Sequence, residues 1–145
     1  MLGTTYEERR AWESIDRQAL ESRQLAKLNA QLNRILPHNR FYSAKLENVG
    51  LPLESPSSVQ LIPYTTKHEL VGYSAEGFAA NLTYPIENYV RFHRTSGTRG
   101  RPLAVLDTSE DWQWWIETWQ FVLDSAELNS RDRVFMAFSF GPFIG

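Results

Sequence analysis

The spacing of apolar residues divides the chain into a helical first third and a later part made of shorter elements. An apolar side chain recurs every three or four positions at Leu25, Leu28, Leu32 and Ile35. This period predicts amphipathic helix over residues 5–36, in two pieces, and Pro37 ends it because proline cannot continue a helix. A shorter helix is predicted over 39–49, with Gly50 at the position just past its C-terminus.

The segment that follows alternates between loop and helix signals. "LPLESPSSVQLIP", residues 51–63, contains three Pro and three Ser and predicts a connecting loop. Thr66 and Glu69 have the spacing of a capping box, in which each side chain bonds the other residue's backbone amide, so a short helix is expected from Lys67 to about Tyr73. Residues 74–88 have no clear period and are expected to form a surface loop.

From Tyr89 the period changes from helical to extended. "YVRFHRT" and "PLAVLDT" predict two short strands joined by a glycine-rich loop. Thr108 or Ser109 is expected to cap the next helix. That helix carries a large apolar residue every three or four positions, which predicts core packing of Trp112, Trp115, Trp119 and Val122. "RVFMAFSFG", residues 133–141, predicts a buried strand, so the whole order indicates a mixed α/β layer fold.

Composition narrows the class of protein. The 145 residues suit one domain, and the net charge of −2 argues against a chain that mainly coats nucleic acid or membrane. The chain has no Cys, no secretory h-region and no membrane-length apolar run, which favours a soluble cytoplasmic protein. Its three histidines have no metal-ligand spacing, so no metal site is predicted from His38, His68 and His93. His93 lies on the strand that enters the loop, where it could support that loop.

Local charge singles out the loop "TSGTRGRP", residues 95–102. Four Arg and no acid occur in residues 88–106, whereas five acids and no Lys or Arg occur in 108–130. Glycines that allow backbone amides to approach, hydroxyl donors and guanidinium groups together suit phosphate oxygens. The spacing is neither that of a Walker A loop nor that of a dinucleotide fingerprint. From the residues alone, a phosphate site, a plain hairpin turn and an arginine-rich module that binds nucleic acid or an acidic partner all remain open.

Three motifs in order resemble the adenylate-forming (AMP-dependent synthetase/ligase) superfamily. "TSGTRGRP" is similar to its phosphate-binding loop, and a basic residue directly before Pro is typical of the phenylacetate–CoA ligase-like branch. "LIPYTTKHEL" resembles that branch's "P-x-TTK-x-[DE]-L" segment, and "LNRILPHNRFYSAKL" its leading helices with an "N-x-FY" step. The loop departs from the pattern at Arg99, where a small hydroxyl residue is usual, and at Arg101, where Lys is usual.

The resemblance implies an activity and its co-substrates. A carboxylic acid would attack the α-phosphorus of ATP to give an acyl adenylate, and coenzyme A would then form a thioester. An aromatic acid is one of the substrates left open. Mg²⁺ would accompany ATP. The residues expected around the β- and γ-phosphates are Thr95, Ser96, Gly97, Thr98, Arg99, Gly100 and Arg101. A relative that transfers the acyl group to another acceptor would carry the same motifs, so that alternative stays open, as does homodimer formation.

The resemblance also implies that the chain is an incomplete α/β domain. Residues 1–145 would be the N-terminal part of the large, mixed-sheet AMP-binding domain: 1–50 its leading helices, 51–88 connecting loops with a short helix, and 89–145 a strand, the phosphate-binding loop, a strand, a helix and a strand. Catalytic residues, Mg²⁺ ligands and a C-terminal lid are expected beyond this sequence, so these 145 residues alone are expected to be inactive. "FSFGPFIG" would begin the acyl pocket through Phe140, Gly141 and Phe143, with a core strand and a Pro turn as the alternative.

Overall fold

The computed structural model describes residues 3–72, 78–95, 102–135 and 137. Within these ranges five α-helices accompany one two-stranded antiparallel sheet, which confirms the α/β class. The helices are α1 (Tyr6–Glu13), α2 (Arg17–Ile35), α3 (Arg40–Lys45), α4 (Lys67–Gly72) and α5 (Ser109–Ser125). The strands are β1 (Tyr89–Arg94) and β2 (Ala104–Thr108), and short 3₁₀ helices cover Pro56–Leu61 and Ile86–Asn88.

Polar caps set the helix boundaries that the sequence predicted. The N-terminal helical stretch does break into two pieces, because Asp16 accepts a 2.8 Å hydrogen bond from the Ala19 amide and starts α2 afresh. The capping box of α4 is confirmed: the Thr66 amide donates to the Glu69 carboxylate at 2.7 Å, and the Glu69 amide donates to the Thr66 hydroxyl at 3.4 Å. These short-range signals act within one turn, so the sequence alone reveals them.

Two details of the connection after α2 differ from the prediction. Helix α3 ends at Lys45 instead of Val49, so the assignment of Gly50 as its capping residue is wrong. The reason is packing: the chain turns at Leu46, whose side chain is 4% exposed and enters the core. Residues 51–63, predicted as loop, contain the 3₁₀ helix Pro56–Leu61 and a cis peptide bond at Leu51–Pro52.

The apolar core lies between α2, the turn after α3 and the segment 51–62. Leu32, Leu46 and Leu53 are buried there, and they are surrounded by the partly buried Leu25, Leu28, Leu36, Val49 and Ile62. Asn29 fastens the segment to α2, because its side-chain amide donates to the Leu53 carbonyl at 2.9 Å and accepts from the Leu53 amide at 2.8 Å. The apolar period of α2 therefore does mark a buried face.

Asn39 joins this helical part to the loop before β1. It is 1% exposed, and its carboxamide oxygen caps α3 by accepting from the Tyr42 amide at 2.9 Å. The carboxamide nitrogen donates to the Asn81 carbonyl at 2.8 Å and to the Thr83 hydroxyl at 2.9 Å. A fully buried amide is tolerated because its polar atoms are bonded.

Helix α5 packs on α1 through a face that the apolar stripe did not predict. Arg9 and Asp124 form a two-bond ion pair, at 2.6 and 3.0 Å, and Trp12 stacks on Phe121 at 6.2 Å. The predicted core stripe is therefore only partly buried: no residue of α5 is fully buried, Trp112 and Trp115 are half-buried, and Trp119 and Val122 are 47% and 52% exposed.

The strand predicted over 133–141 is wrong for the residues that the structure describes. Asn129 and Asp132 form a turn, in which the Asn129 amide donates to the Asp132 carboxylate at 2.8 Å. Beyond it, Val134 and Phe135 are 63% and 89% exposed, and neither pairs with β1 or β2. The prediction used apolar content, whereas a strand also requires a neighbour for its backbone groups. In the described part of the chain, no helix combines the length and apolarity that crossing a bilayer requires.

Candidate functional site

The two predicted strands form an antiparallel hairpin whose connection is the arginine-rich loop. Phe92 pairs with Leu106, His93 with Val105 and Arg94 with Ala104. The alternation of β-branched and aromatic residues with polar ones suits such a half-covered ribbon. The hairpin confirms that residues 95–103 join neighbouring strand ends.

Thr95 closes the base of this loop with two hydrogen bonds. Its amide donates to the Leu103 carbonyl at 3.0 Å, and its hydroxyl oxygen accepts from the Leu103 amide at 2.9 Å. A threonine hydroxyl carries one donor and two acceptor lone pairs, and its hydrogen has no acceptor among the described residues. Thr95 thus has a structural role at the base of the loop.

Thr95 is the one predicted phosphate-loop residue within the described ranges. The other predicted phosphate contacts lie outside the described residues: Ser96, Gly97, Thr98, Arg99, Gly100 and Arg101. The predicted acyl-pocket residues Phe140, Gly141 and Phe143 also lie outside them. Their roles therefore stay predictions.

A third segment supports the hairpin from the side of β2. The amide of Ala79 donates to the carbonyl of Ala104 at 3.1 Å, at the first residue of β2, and the amide of Ala80 donates to the carbonyl of Leu70 in α4 at 2.9 Å. Tyr89, at the start of β1, accepts from the amides of Thr83 and Tyr84 through its hydroxyl at 3.0 and 3.1 Å. The hairpin is therefore anchored near the loop, at Ala104 of β2, and at its opposite end, at Tyr89 of β1.

A cluster of ionisable and aromatic side chains lies where the hairpin meets α5. The imidazole of His93 stacks on the ring of Trp112, with centroids 5.8 Å apart and planes 21° from parallel. Its Nε2 lies 2.9 Å from Oδ2 of Asp107, yet this nitrogen is buried and has no partner with hydrogen-bond geometry among the described residues. The guanidinium carbon of Arg91 lies 5.2 Å from the centroid of the Trp112 ring. We call these four residues the His93 cluster.

The start of α5 carries negative charge that is already bonded. Thr108 and Asp111 form a capping box, with the Thr108 amide and hydroxyl donating to the Asp111 carboxylate at 2.9 and 2.7 Å. Glu110 pairs with Arg34 of α2 across an open groove of about 570 Å³. Trp114 and Trp115 also line this groove. Its charges are mixed and largely paired, so no anion site is assigned to it.

The residues described by the structure do not supply a metal site. Within them, no group of three or more His, Asp or Glu side chains is placed to hold a metal ion. The carboxylates nearest the hairpin are committed to other contacts, Asp107 beside His93 and Asp111 in the helix cap. The Mg²⁺ that would accompany ATP needs only one or two carboxylates besides phosphate oxygens, and no such ligand is assigned among the described residues.

Comparison with known proteins agrees with the motif resemblance. The chain is 28% identical over 130 residues to phenylacetate-coenzyme A ligase of Escherichia coli (strain K12), an alignment that covers 87% of this chain and 29% of that protein. It is 27% identical over 130 residues to phenylacetate-coenzyme A ligase of Pseudomonas putida, covering 88% and 29%. The chain resembles phenylacetate–CoA ligases. No protein-family model matches it.

The resemblance to phenylacetate–CoA ligases therefore covers most of the chain and is not confined to one loop. The chain spans about 29% of the length of these two relatives, so the activity of the whole protein is a matter for proposal. The sequence reasoning missed two contacts of His93 beside the loop, namely those with Asp107 and with Trp112. Strand register could have revealed the first, because residues near opposite positions of a hairpin meet. The Trp112 contact depends on how α5 docks.

Proposed function

We propose that this chain takes part in the ATP-dependent activation of a carboxylic acid, through an acyl adenylate, for thioester formation with coenzyme A. The observation that carries the proposal is the hairpin closed by Thr95 and Leu103 around a glycine- and arginine-rich connection, in a chain similar to phenylacetate–CoA ligases. In this proposal residues 95–101 contact the β- and γ-phosphates. The acid is an aromatic one, by analogy with the names of the two relatives.

The role of the loop is electrostatic positioning. Transfer of an adenylyl group develops charge on the pyrophosphate that leaves, and donors fixed beforehand around those oxygens stabilise it. Backbone amides next to Gly97 and Gly100 and the guanidinium groups of Arg99 and Arg101 have the required chemistry. None of them acts as nucleophile or base in this proposal.

The organisation of the chain follows from the same proposal. Residues 1–145 form the N-terminal part of a large AMP-binding domain, in which 1–50 and 51–88 support the strands, loop and helix of 89–145. Because the chain aligns with about 29% of each relative, we expect no turnover of acid and ATP by these 145 residues alone. Pyrophosphate release measured with ATP, coenzyme A and phenylacetate would contradict that expectation if it exceeded the rate without protein.

ATP binding by the chain tests the proposal directly. Isothermal titration calorimetry should detect ATP binding to the purified 145-residue protein, and the double variant Arg99→Ala, Arg101→Ala should weaken it at least about a hundredfold, because each lost charged contact contributes about 1.5–3 kcal/mol. Arg131 and Arg133, which lie in the exposed segment after α5, provide the matched control. The variant Arg131→Ala, Arg133→Ala removes the same charge and should bind ATP as the wild type does.

Two results would count against the proposal. Equal loss of affinity in both double variants would mean that net charge, and not the loop, attracts ATP. Absence of ATP binding, together with salt-dependent binding of a single-stranded oligonucleotide that weakens uniformly as arginines are removed, would favour the arginine-rich interaction module.

A further inference from the structure

Helix α5 has one face that the described residues leave open to solvent. Its side chains recur at three- and four-residue intervals in two adjoining rows, which places them on one side of the helix, and they are Trp114, Trp115, Thr118, Trp119, Val122 and Ser125. Trp114, Trp119 and Val122 are 59%, 47% and 52% exposed. Isolated apolar side chains are common on protein surfaces, whereas several on one helix face indicate a contact surface. We call these six residues the open face of α5.

The polar side chains on the open face do not require water as an acceptor. The Thr118 hydroxyl donates to the Trp114 carbonyl at 3.0 Å, and the Ser125 hydroxyl donates to the Phe121 carbonyl at 2.8 Å. Both donors are therefore satisfied within α5 itself. A partner that covered the open face would leave neither hydroxyl donor unpaired, so the usual cost of burying one is avoided.

The open face carries no charged side chain, although α5 is acidic. Glu117 and Asp124 lie on the side that faces the N-terminal segment, where Glu117 accepts a 3.2 Å hydrogen bond from the Gly3 amide and Asp124 pairs with Arg9. An uncharged face has no opposite charge to offer to a strongly basic or acidic partner, and it does not repel an identical face. A second copy of this chain can therefore approach it without a like-charge cost.

The sizes of the side chains make the open face complementary to itself. A large residue, Trp114, lies near one end, and two small residues, Thr118 and Ser125, lie in the middle and at the other end. If two α5 helices pack antiparallel about a two-fold axis near Trp119, Trp114 of each copy lies opposite Ser125 of the other. Such alternation of ridges and grooves is how helices pack, and a two-fold axis repeats the contact twice.

The groove beside the open face adds an electrostatic contribution to the same arrangement. Lys27 and Arg34 of α2 line this groove together with Trp114 and Trp115. In the antiparallel pairing, the C-terminal end of the second copy's α5 lies on this side. A helix C-terminus carries partial negative charge that nearby cations stabilise, and α5 has no basic residue in its own last turn. The second copy would therefore supply the cations that this helix end lacks.

We propose that a second copy of this chain covers the open face of α5, with the two α5 helices antiparallel across a two-fold axis. This inference goes beyond the proposed function and does not depend on ATP binding. Two helices of this length bury less surface than a standard interface, so the dimer should have a dissociation constant on the order of 10 µM.

Sedimentation velocity of the purified 145-residue protein tests the inference. The average mass should rise from monomer towards dimer as the concentration increases from about 1 to about 200 µM. Two variants, Thr118→Glu and Thr118→Lys, each place like charges near the axis and should weaken the dimer at least about tenfold at low ionic strength. The equimolar mixture of these two variants should dimerise again, because opposite charges then meet across the interface.

The matched control introduces a charge on another side of the same helix. Gln113 is exposed but does not belong to the open face, so Gln113→Lys should dimerise as the wild type does. Thr118 is also exposed, and far-UV circular dichroism verifies that every variant is folded. Recovery of the dimer in the mixture excludes misfolding of the two Thr118 variants as the cause of their dissociation.

Every other outcome overturns the inference. A wild-type protein that stays monomeric over the whole concentration range would mean that a different partner, such as the additional polypeptide of the longer relatives, covers the open face. A dimer that both Thr118 variants retain would lie on another surface. Two monomeric variants whose mixture does not dimerise would contradict the antiparallel two-fold arrangement. None of these results bears on ATP binding, which calorimetry measures separately.

Discussion

Two pairs, each of a basic residue and a carboxylate, differ in how completely they are bonded: one joins α1 to α5, and the other lies inside the hairpin that packs on α5. Between α1 and α5, Arg9 and Asp124 are each 8% exposed and share two hydrogen bonds, and Arg9 also donates to the Thr4 carbonyl at 2.7 Å. Within the hairpin, His93 of β1 and Asp107 of β2 are 14% and 20% exposed and lie close together, but they form no hydrogen bond among the described residues.

This difference separates a fully bonded contact from an incompletely bonded one. Hydrogen bonding to Arg9 lowers the pKa of Asp124, and the guanidinium stays charged at all physiological pH values, so this pair does not respond to pH within that range. The contact of His93 with Asp107 lacks hydrogen-bond geometry, so it constrains the hairpin less than the Arg9 pair constrains α5.

The largest expected effect comes from breaking the Arg9 pair. Arg9→Met keeps an unbranched chain but leaves the Asp124 carboxylate buried, with Arg10 at 3.6 Å as its remaining cation among the described residues. Removing one partner of a buried pair is strongly destabilising, so the melting temperature should fall by roughly 10 °C at pH 7. Thermal unfolding followed by circular dichroism measures this.

The matched control for Arg9→Met lies on the next helix. Arg17→Met makes the same chemical change at a side chain that is 83% exposed. If both variants melted at the same temperature, burial and bonding would not distinguish the two sites, and the structural role assigned to Arg9 would be wrong.

The sequence predicted those features that depend on residues close together along the chain. The period of α2, the capping box at Thr66 and Glu69 and the alternation of β1 each act within a few positions, and all three were confirmed. The motif resemblance was also confirmed by the two relatives. Of the candidate phosphate residues, Thr95 is at the mouth of a hairpin as predicted, although its bonds to Leu103 were not foreseen.

What the sequence did not predict depends on how elements dock. Helix α5 has two faces able to pack, one aromatic and one with Phe121 and Asp124, and the second contacts α1 because Arg9 and Trp12 complement it. The failed strand at 133–135 has the same cause, since apolar content cannot indicate whether a neighbouring strand is present. The contact of His93 with Trp112 likewise depends on that docking.

A third pair, Lys45 and Glu69, is half-buried, and its contribution to stability is expected to depend on pH. Glu69 bonds Lys45 of α3 as well as the Thr66 cap, and these contacts, the Lys45 hydrogen bond first, lower its pKa from 4.5 to about 2. A pKa lowered in the folded state means that the contribution to stability is complete above pH 4.5 and is lost as the pH falls towards 2.

Glu69→Gln should therefore lower the melting temperature by about 3 °C at pH 7, and the difference from wild type should shrink between pH 4.5 and pH 2. Glu54→Gln removes the same charge at an exposed position and should lack this pH dependence. Differential scanning fluorimetry across the range measures both. A difference that stays constant down to pH 2 would show that the carboxylate charge is not what stabilises α4.

The smallest effect on stability is expected at the exposed pair of Arg17 and Glu21. Arg17 is the first residue of α2, so its charge opposes the helix dipole, and an arginine placed before its acidic partner is the weaker orientation of an i,i+4 pair. In Arg17→Met, loss of the ion pair lowers the stability, whereas loss of a positive charge at the helix N-terminus raises it. These two effects should nearly cancel, so the melting temperature should change by less than about 1 °C. A fall of several degrees would mean that exposure alone does not separate weak pairs from strong ones in this protein.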